Sequence, residues 1–281
     1  MSQVLRLEGL PLTKAGIFAI SQIEEVSWND KIFDSLVLEQ DRKDLIHDLV
    51  QTHKSADDTF DDFVRFKGKG LVGLLAGPPG VGKTMTAEAI AEVARRPLYM
   101  ISSGELGETV KSIHSKLKTI LELAELWDTV LLLDEADVFL SQRTETDLTR
   151  NAIASIFLRE LEYYQGILIL TTNRLKTFDS AFQSRIHFCL QYPDLNDEGR
   201  ESIWRNFLDR AKQNPKLTVD IDDEGYRSLG ALDLNGRQIK NVMSVSQSVA
   251  TKRNQLITLA SIKSAIKLCQ NFDRKNEVII E

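Results

Sequence analysis

The 281-residue sequence has only two cysteines and no long apolar run, and each shortage excludes a class of protein. Cys189 and Cys269 lie far apart without a Cys-x-x-Cys or Cys/His pattern. A disulfide framework and a cysteine-held metal are therefore disfavoured, and a reducing compartment is expected. No apolar run approaches the roughly 18 residues of a membrane helix, and the first residues, interrupted by Pro11 and Lys14, do not follow the order of a secretion signal. We expect a cytoplasmic protein with no membrane span.

Positive charge is also scarce, with 35 Lys and Arg residues against 41 Asp and Glu residues and a formal net charge of −6. Broad binding to nucleic acid or to an anionic membrane is therefore disfavoured. The basic clusters that exist, such as Arg95-Arg96 and Lys252-Arg253, are small. Nucleic acid is therefore disfavoured as a partner. The length and the 42% hydrophobic content allow one large α/β domain with a smaller companion.

The strongest signal is the stretch LVGLLAGPPGVGKT, residues 71–84, in which an apolar run ends in a glycine-rich turn. Its pattern G-x-x-x-x-G-K-[ST] is that of a phosphate-binding loop. Glycine allows the positive φ that wrapping backbone around a pyrophosphate requires, and the helix that follows directs its positive end at the phosphates. The predicted nucleotide-binding residues are Gly77, Pro78, Pro79, Gly80, Val81, Gly82, Lys83, Thr84 and Met85.

Two side chains of this loop have individual predicted roles. Lys83 adds a full positive charge, and the Thr84 hydroxyl can ligate Mg²⁺. A turn that only joins a strand to a helix is disfavoured, because the strand before and the helix after the motif are both indicated. ATP with Mg²⁺ is the expected ligand, and GTP is disfavoured because no NKxD-type stretch follows the fourth strand.

Apolar strand-like segments alternate with helix-like segments through the middle of the chain, which predicts a parallel sheet covered on both faces. The predicted strands cover 71–76, 97–101, 129–133, 167–170 and 186–190. Ahead of them, Leu45, Ile46, Leu49 and Val50 recur at helical spacing, and 57–69 is predicted to be a loop. After Pro193 the strands are expected to stop, and helices are predicted within 196–211, 236–251 and 261–271.

Polar residues follow two of the predicted strands. In TVLLLDEAD an apolar run places Asp134 and Glu135 at the carboxyl end of a strand, beside the phosphate loop, where such sheets bind ligands. Asp134 is predicted to hold Mg²⁺, and Glu135 to orient and deprotonate the attacking water. Asn173, after the strand ILILTT, can fix the same water from the opposite side. The letters DEAD also suggest a helicase, but the chain lacks a second strand-rich domain with its own arginine motif.

The motifs GPPGVGKT, LLLDEAD, LTTNR, FDSAFQSRI and LNGRQIKN, in this order, resemble those of the AAA+ ATPases. The segments FDSLVL, LEYYQG and NGRQIKN are more narrowly similar to AAA-type ATPases of filamentous fungi. The similarity covers about residues 26–268. The resemblance implies an α/β P-loop NTPase sheet with strand order 5-1-4-3-2 and a C-terminal helical lid. The expected division is an N-terminal extension over 1–22, an AAA+ α/β domain over 23–193 and a helical lid over 194–281.

The resemblance also implies roles for two arginines. Arg185 matches the arginine finger that reaches a neighbouring subunit's site, and Arg237 matches the sensor-2 arginine of the lid. The alternatives are a surface arginine paired with a local carboxylate for Arg185 and a solvated helix-start residue for Arg237. His187, next to the finger, is expected to be structural. Leu106-Gly107 stands where polypeptide-threading relatives have an aromatic-glycine pair, which argues against threading.

The sequence is compatible with three functions. The leading one is an ATP hydrolase that works as a homo-oligomeric ring, with a hexamer as the expected size, and moves a protein client that the sequence does not identify. The second is a nucleotide-dependent regulatory binding module with slow hydrolysis. The third is a DNA-remodelling ATPase on the same scaffold, which would need a basic face. Catalytic roles in the leading hypothesis belong to Glu135, Lys83, Asn173, Arg185 and Arg237.

Overall fold

The computed structural model describes residues 25–29, 32–33, 35–54, 70–107, 109–140, 147–174 and 179–276. The expected extension over 1–22 and the predicted loop over 57–69 therefore lie outside the described residues. By its internal contacts the chain divides into two units. A sheet unit runs to Gly77 and continues over Lys83–Tyr192, and a helical unit combines Pro78–Gly82 with the chain from Pro193 onward.

The sheet unit is built on five parallel strands: β1 (Leu71–Ala76), β2 (Leu98–Ser102), β3 (Val130–Asp134), β4 (Ile167–Thr172) and β5 (Phe188–Gln191). Their order across the sheet is β2-β3-β4-β1-β5, which confirms the expected order 5-1-4-3-2 and the P-loop α/β fold. Every residue of β1 and β4 is buried. Apolar sequence is expected for strands that are covered on both faces, and for this reason the sequence predicted these two strands.

The described part of this unit contains five α-helices: α1 (Gln40–Lys54), α2 (Lys83–Ala94), α3 (Val110–Leu126), α4 (Asp137–Leu140) and α5 (Leu148–Tyr163). In α3 the buried residues Ile113, Leu117 and Leu121 recur every four positions, so one apolar face lies against the sheet. In α1 the buried positions include Ile46 and Val50, but Leu45 is 59% exposed. The prediction that Leu45 shares the apolar face was wrong, because the helix turns this residue outward.

The helical unit contains α6 (Asp197–Lys212), α7 (Asp223–Gly230), α8 (Gly236–Arg253) and α9 (Leu259–Asn276). Asn196, Asp222 and Asn235 cap the starts of the first three through their side-chain oxygens. Trp204 is fully buried at the centre of its apolar core.

Two features of the helical unit differ from the prediction. Strands do not stop at Pro193, because β6 (Val219–Asp220) and β7 (Ile257–Thr258) form a short parallel pair. Two residues are too few to show a periodicity of two in the sequence. Helix α7 was also missed, because its glycines Gly225 and Gly230 weaken the helical signal. In the described residues of either unit, no helix has the length and apolarity that crossing a membrane requires.

Candidate functional site

Three neighbouring strands end side by side at one edge of the sheet. β1 and β4 pair with Ala76 opposite Thr172, and β3 and β4 pair with Leu133 opposite Leu170. Because the three strands are parallel and in this register, the residues that follow them leave the sheet at the same edge. The fold therefore places the start of the phosphate loop, the acidic pair and Asn173 next to one another, at the edge where ligands bind in such sheets.

The glycines of the loop adopt a backbone that other residues rarely adopt. The φ angles of Gly77, Gly80 and Gly82 are +153°, +79° and +108°. A Cβ added at Gly77 would lie 2.5 Å from the carbonyl oxygen of Tyr192, and one at Gly80 would lie 2.7 Å from Oδ1 of Asn235. Gly77 and Gly80 are thus required by both φ and space, as a backbone cradle for an anion demands.

Lys83 begins α2 and is only 8% exposed. Its Nζ donates hydrogen bonds to the carbonyl oxygen of Gly77 at 2.7 Å and to Oδ1 of Asn173 at 2.8 Å. The phosphate loop and the end of β4 therefore meet at this ammonium group. Of the other predicted loop residues, Val81 is buried, whereas Pro79 and Met85 are exposed.

The acidic pair is held by the end of β4. Asp134 is the last residue of β3, and Glu135 follows it with a φ of +55° and an exposed side chain. The Thr171 hydroxyl donates to Oδ1 of Asp134 and accepts from the backbone N–H of Glu135 at 3.0 Å. The next hydroxyl, that of Thr172, donates to Oδ1 of Asp137.

The sequence interpretation assigned no role to these two threonines. The available signal was a pair of hydroxyl residues at the end of an otherwise apolar strand, which is a position that faces a ligand edge. Their partners lie more than 30 positions earlier in the chain, so the pairing follows only from the strand register.

The oxygen groups at this edge fit a magnesium ion. Thr84 lies in the first turn of α2 and supplies a hydroxyl, and Asp134 supplies a carboxylate. In the part of the chain that the structure describes, no group of three or more His, Cys, Asp or Glu residues could hold a metal. Mg²⁺ is commonly bound through one or two protein oxygens, with phosphates and water completing its shell, so this sparse donor set suits it.

Arg185 does not join this cluster of side chains. Its guanidinium donates to the Ala181 carbonyl oxygen at 3.1 Å and to Oγ of Ser184 at 3.2 Å, and it pairs with Glu162 at 3.5 Å. The side chain is partly buried against its own short helix Ser180–Phe182. The Arg185 contacts are therefore local to the segment that carries it and to Glu162 on α5.

His187, close to Arg185, has a structural role. Its ring Nδ1 accepts a hydrogen bond from the backbone N–H of Val72 at 2.9 Å, and the backbone N–H of His187 donates to the Val72 carbonyl oxygen at 2.8 Å. These bonds extend the pairing of β5 with β1. Burial lowers the pKa of His187 below its usual value, which favours the neutral ring that can accept from a backbone N–H.

Arg237 belongs to the helical unit, as the second residue of α8, and is exposed. The start of this helix contacts the tip of the phosphate loop, which belongs to the same unit. The backbone N–H of Gly236 donates to the Gly80 carbonyl oxygen at 2.8 Å, while Asn235 caps the helix by accepting from Gln238 N at 2.9 Å. Arg237 is therefore one residue from a direct contact with the loop.

Tyr192 is a further residue at this edge that the sequence did not single out. Its backbone N–H donates to the Ala76 carbonyl oxygen at 2.8 Å, and its hydroxyl shares a hydrogen bond of 2.7 Å with Oγ1 of Thr86. Tyr192 also lies close enough to Gly77 that a Cβ added there would be 2.8 Å from the Tyr192 Cβ. Burial raises the pKa of the Tyr192 hydroxyl to about 12.

Residues 73–194 match the model of the ATPase family associated with various cellular activities (AAA), so this stretch is an AAA ATPase domain. The curated relatives include the ATPase family AAA domain-containing protein FIGL1 of Arabidopsis thaliana, 34% identical over 76% of this chain and 34% of that protein. The proteasome-activating nucleotidase of Sulfurisphaera tokodaii is 26% identical over 73% of this chain and 56% of that protein. The ATP-dependent zinc metalloprotease FtsH of Malacoplasma penetrans is 26% identical over 66% of this chain and 23% of that protein.

Among solved structures, the FIGL-1 AAA domain superposes with a TM-score of 0.62 at 20% identity, covering 86% of this chain and 85% of that one. This likeness concerns the fold, and it agrees with the strand order of the sheet unit. The chain spans from about a quarter to just over half of the length of these curated relatives. The similarity therefore concerns only a part of each of these relatives.

Proposed function

We propose that this protein binds ATP with Mg²⁺ and hydrolyses it, as a ring-forming ATPase that remodels a protein client. The observation that carries the proposal is the meeting of four groups at one sheet edge. Lys83 bonds to Asn173 and to the first loop glycine, and Thr171 ties the adjacent acidic pair to the same strand end. A phosphate cradle, a cation, a carboxylate and an amide are the groups that phosphoryl transfer to water needs.

Each group has a distinct task in the proposed reaction. Lys83 neutralises charge that develops on the transferred phosphoryl group, and Glu135 orients the attacking water and takes its proton. Because Oδ1 of Asn173 accepts from Lys83, its NH₂ group is the part left to donate to the water or the γ-phosphate. When bound, Mg²⁺ would be held by Thr84 and Asp134 and would supply charge neutralisation at the phosphates.

Replacement of Glu135 tests this assignment. Glu135→Gln removes the proton acceptor but keeps the size, so we expect ATP binding to be retained and turnover to fall by roughly 10²- to 10⁴-fold, the usual contribution of general base catalysis. Glu88→Gln, on the exposed face of α2, is the matched control and should behave as the unchanged protein. Normal turnover by Glu135→Gln would remove the general-base role, and absence of nucleotide binding by the unchanged protein would remove the whole proposal.

The ring arrangement rests on Arg185. An arginine finger supplied by a neighbouring subunit contributes about 10³- to 10⁵-fold in rate. To act in this way, Arg185 would break its ion pair with Glu162. We expect specific activity to rise with protein concentration, and Arg185→Ala to abolish this rise without changing ATP binding. Arg159→Ala, an exposed arginine on α5, is the control. Flat activity with concentration would favour the monomeric regulatory module instead.

The proposed client is a protein that is moved without the aromatic grip of threading relatives. Leu106, at the corresponding place, is fully buried, and Gly107 follows it with a φ of +99°. The side chain is thus part of the core. Because a buried Leu106 is not available to grip a polypeptide, the remodelling reaction that we propose changes a surface contact of the client instead of threading it. The role of Arg237 as a γ-phosphate sensor, the cytoplasmic location and the closer likeness to AAA-type ATPases of filamentous fungi stay predictions.

A further inference from the structure

We propose that Thr171 is the positioning residue for both acidic groups of the site, fixing the Asp134 carboxylate through a hydrogen bond and the direction of Glu135 through its backbone. The inference rests on the proposed function, because it assigns a task within the same reaction. Thr171 touches neither the phosphates nor the water in this scheme, and it acts through its two neighbours.

The register of the sheet places Thr171 beside both acids. β3 and β4 pair with Leu133 opposite Leu170, so the next residues along, Asp134 and Thr171, lie side by side. Thr171 is 1% exposed, and its hydroxyl is shared between the Asp134 carboxylate and the Glu135 N–H. A buried hydroxyl with one acceptor and one donor in place is satisfied in both capacities, so it has a defined orientation.

Glu135 needs such support because its backbone is strained. Its φ of +55° lies in the left-handed region, which residues with a Cβ seldom occupy and which persists when surrounding structure holds it. Thr171 bonds to the chain on both sides of this residue: its hydroxyl accepts from Glu135 N, and its carbonyl oxygen accepts from Ala136 N at 2.8 Å. The direction in which the Glu135 side chain leaves the strand therefore depends on Thr171.

Asp134 is oriented by the same hydroxyl. The donated hydrogen bond engages Oδ1, which fixes the carboxylate on one side and leaves the second oxygen to accept from or bind a ligand. Hydrogen-bond partners of this kind fix the orientation of a metal-binding group, and their loss typically weakens metal affinity about 10- to 100-fold. Thr171 therefore links the Mg²⁺ ligand and the proposed base through one atom.

Thr172 offers a matched control. It follows Thr171 in β4, is equally buried at 1% and also carries a hydroxyl. Its Oγ1 donates to Asp137 and accepts from Arg174 N at 2.9 Å. Successive residues of a strand point to opposite faces, so the two hydroxyls have different partners. Because both are buried in the same strand, we expect removal of either to disturb the strand by a similar amount, but only Thr171 holds the acidic pair.

The experiment compares Thr171→Val, Thr171→Ser and Thr172→Val in the full chain. Binding of a fluorescent, non-hydrolysable ATP analogue is titrated in EDTA and at increasing Mg²⁺, and ATP turnover and thermal unfolding are measured in parallel. For Thr171→Val we expect the half-saturating Mg²⁺ concentration to rise about 10-fold or more, kcat to fall by a comparable factor, and analogue affinity in EDTA to stay unchanged. Thr171→Ser should restore both quantities, and Thr172→Val should leave the half-saturating Mg²⁺ concentration within about twofold of the unchanged protein, because its hydroxyl bonds to Asp137 and not to Asp134.

The outcomes separate the possible failures. An equal rise in the half-saturating Mg²⁺ concentration in Thr171→Val and Thr172→Val would overturn the positioning role, as would a loss of analogue affinity in EDTA that matches the loss in Mg²⁺. If Thr171→Val does not fold, Thr171→Ala lacks the same hydroxyl in a smaller volume and is judged by the same criteria. An unchanged protein that binds no analogue in either condition would instead overturn the proposed function, and this inference with it.

Discussion

The two units of the protein treat buried polar groups differently. All but one of the buried polar side chains of the described residues belong to the sheet unit, and three of them, Lys83, Thr171 and Thr172, bond to polar groups at the carboxyl edge of the sheet. In the helical unit the buried polar residue is Ser246, and neither its hydroxyl nor the Trp204 indole N–H has a hydrogen-bond partner among the described residues. Buried polarity is costly unless it is paired, and Lys83, Thr171 and Thr172 are each paired at the edge to which we assign the proposed reaction.

Charge in the helical unit is instead arranged near the surface. Arg200 bonds to the Gly230 and Leu195 carbonyl oxygens and to Asp197. Arg205 pairs with Glu201 and Asp223 and stacks over the Tyr226 ring at 4.2 Å. These contacts fasten helices to one another. The comparison therefore predicts that substitutions in the helical core act on folding, and that substitutions at the sheet edge act on nucleotide chemistry.

The largest expected effect on stability is at Trp204. Trp204→Ala removes a fully buried side chain from the core of the helical unit, and such truncations cost about 3 to 5 kcal/mol in unfolding free energy. Denaturant unfolding followed by circular dichroism measures this loss. Trp127→Ala, whose side chain is 38% exposed, is the control and should cost much less. Equal losses for the two variants would contradict the assignment of Trp204 to the core.

The next effect is on nucleotide binding, at Lys83. Lys83→Ala removes a charge-assisted hydrogen bond to phosphate, worth about 1.5 to 3 kcal/mol, so affinity should fall roughly 10- to 100-fold. Calorimetric titration with ATP measures this. Lys118→Ala, at an exposed site on α3, should bind as the unchanged protein does. If Lys83→Ala binds as tightly, then the loop does not hold phosphate as proposed.

A smaller effect concerns alkaline pH and Tyr192. Burial raises the pKa of this hydroxyl from 10 to about 12, so the folded state keeps a proton that the unfolded state releases. The contribution to stability is present below pH 10 and is lost as the pH rises toward 12, by roughly 2 kcal/mol. In Tyr192→Phe the fall in unfolding free energy between these pH values should be shallower. An unchanged slope would place the alkaline loss elsewhere, for example at Tyr164, whose pKa burial also raises.

The smallest effect is expected at the surface network of the helical unit. Arg205→Gln removes the exposed ion pairs with Glu201 and Asp223, and exposed pairs contribute little because water screens them. We expect a slight lowering of the denaturation midpoint at low ionic strength that vanishes in 1 M salt. A large, salt-independent loss would mean that Arg205 packing over Tyr226, rather than charge, carries the contribution.

The parts of the fold that the sequence predicted are those with a strong local signal. β1 and the first four residues of β4 are apolar runs, and the loop after β1 has a fixed glycine spacing. The short pair β6 and β7 has no such signal, because each strand has only two residues. At the site, the order of motifs indicated Lys83 and Asn173, but not their direct hydrogen bond.

Thr171 shows why the rest of the site could not be derived from the sequence. Its role depends on which residue of β3 stands opposite it, and register is a property of packed strands rather than of either segment alone. Arg185 shows a second limit. Its local contacts with Glu162 follow from the fold, whereas a task in a neighbouring subunit depends on assembly, which one chain does not encode in its own contacts.

The position of β1, β3 and β4 within the sheet affects where local unfolding of the sheet begins. β1, β3 and β4 each have a strand on both sides, whereas β2 and β5 form the margins. Local opening of a sheet begins where backbone groups are paired on one side only, and amide protons there exchange with solvent soonest. The groups of the proposed site are thus attached to strands whose amide protons should exchange last, and fraying of β2 and β5 should precede any loss of the proposed nucleotide site.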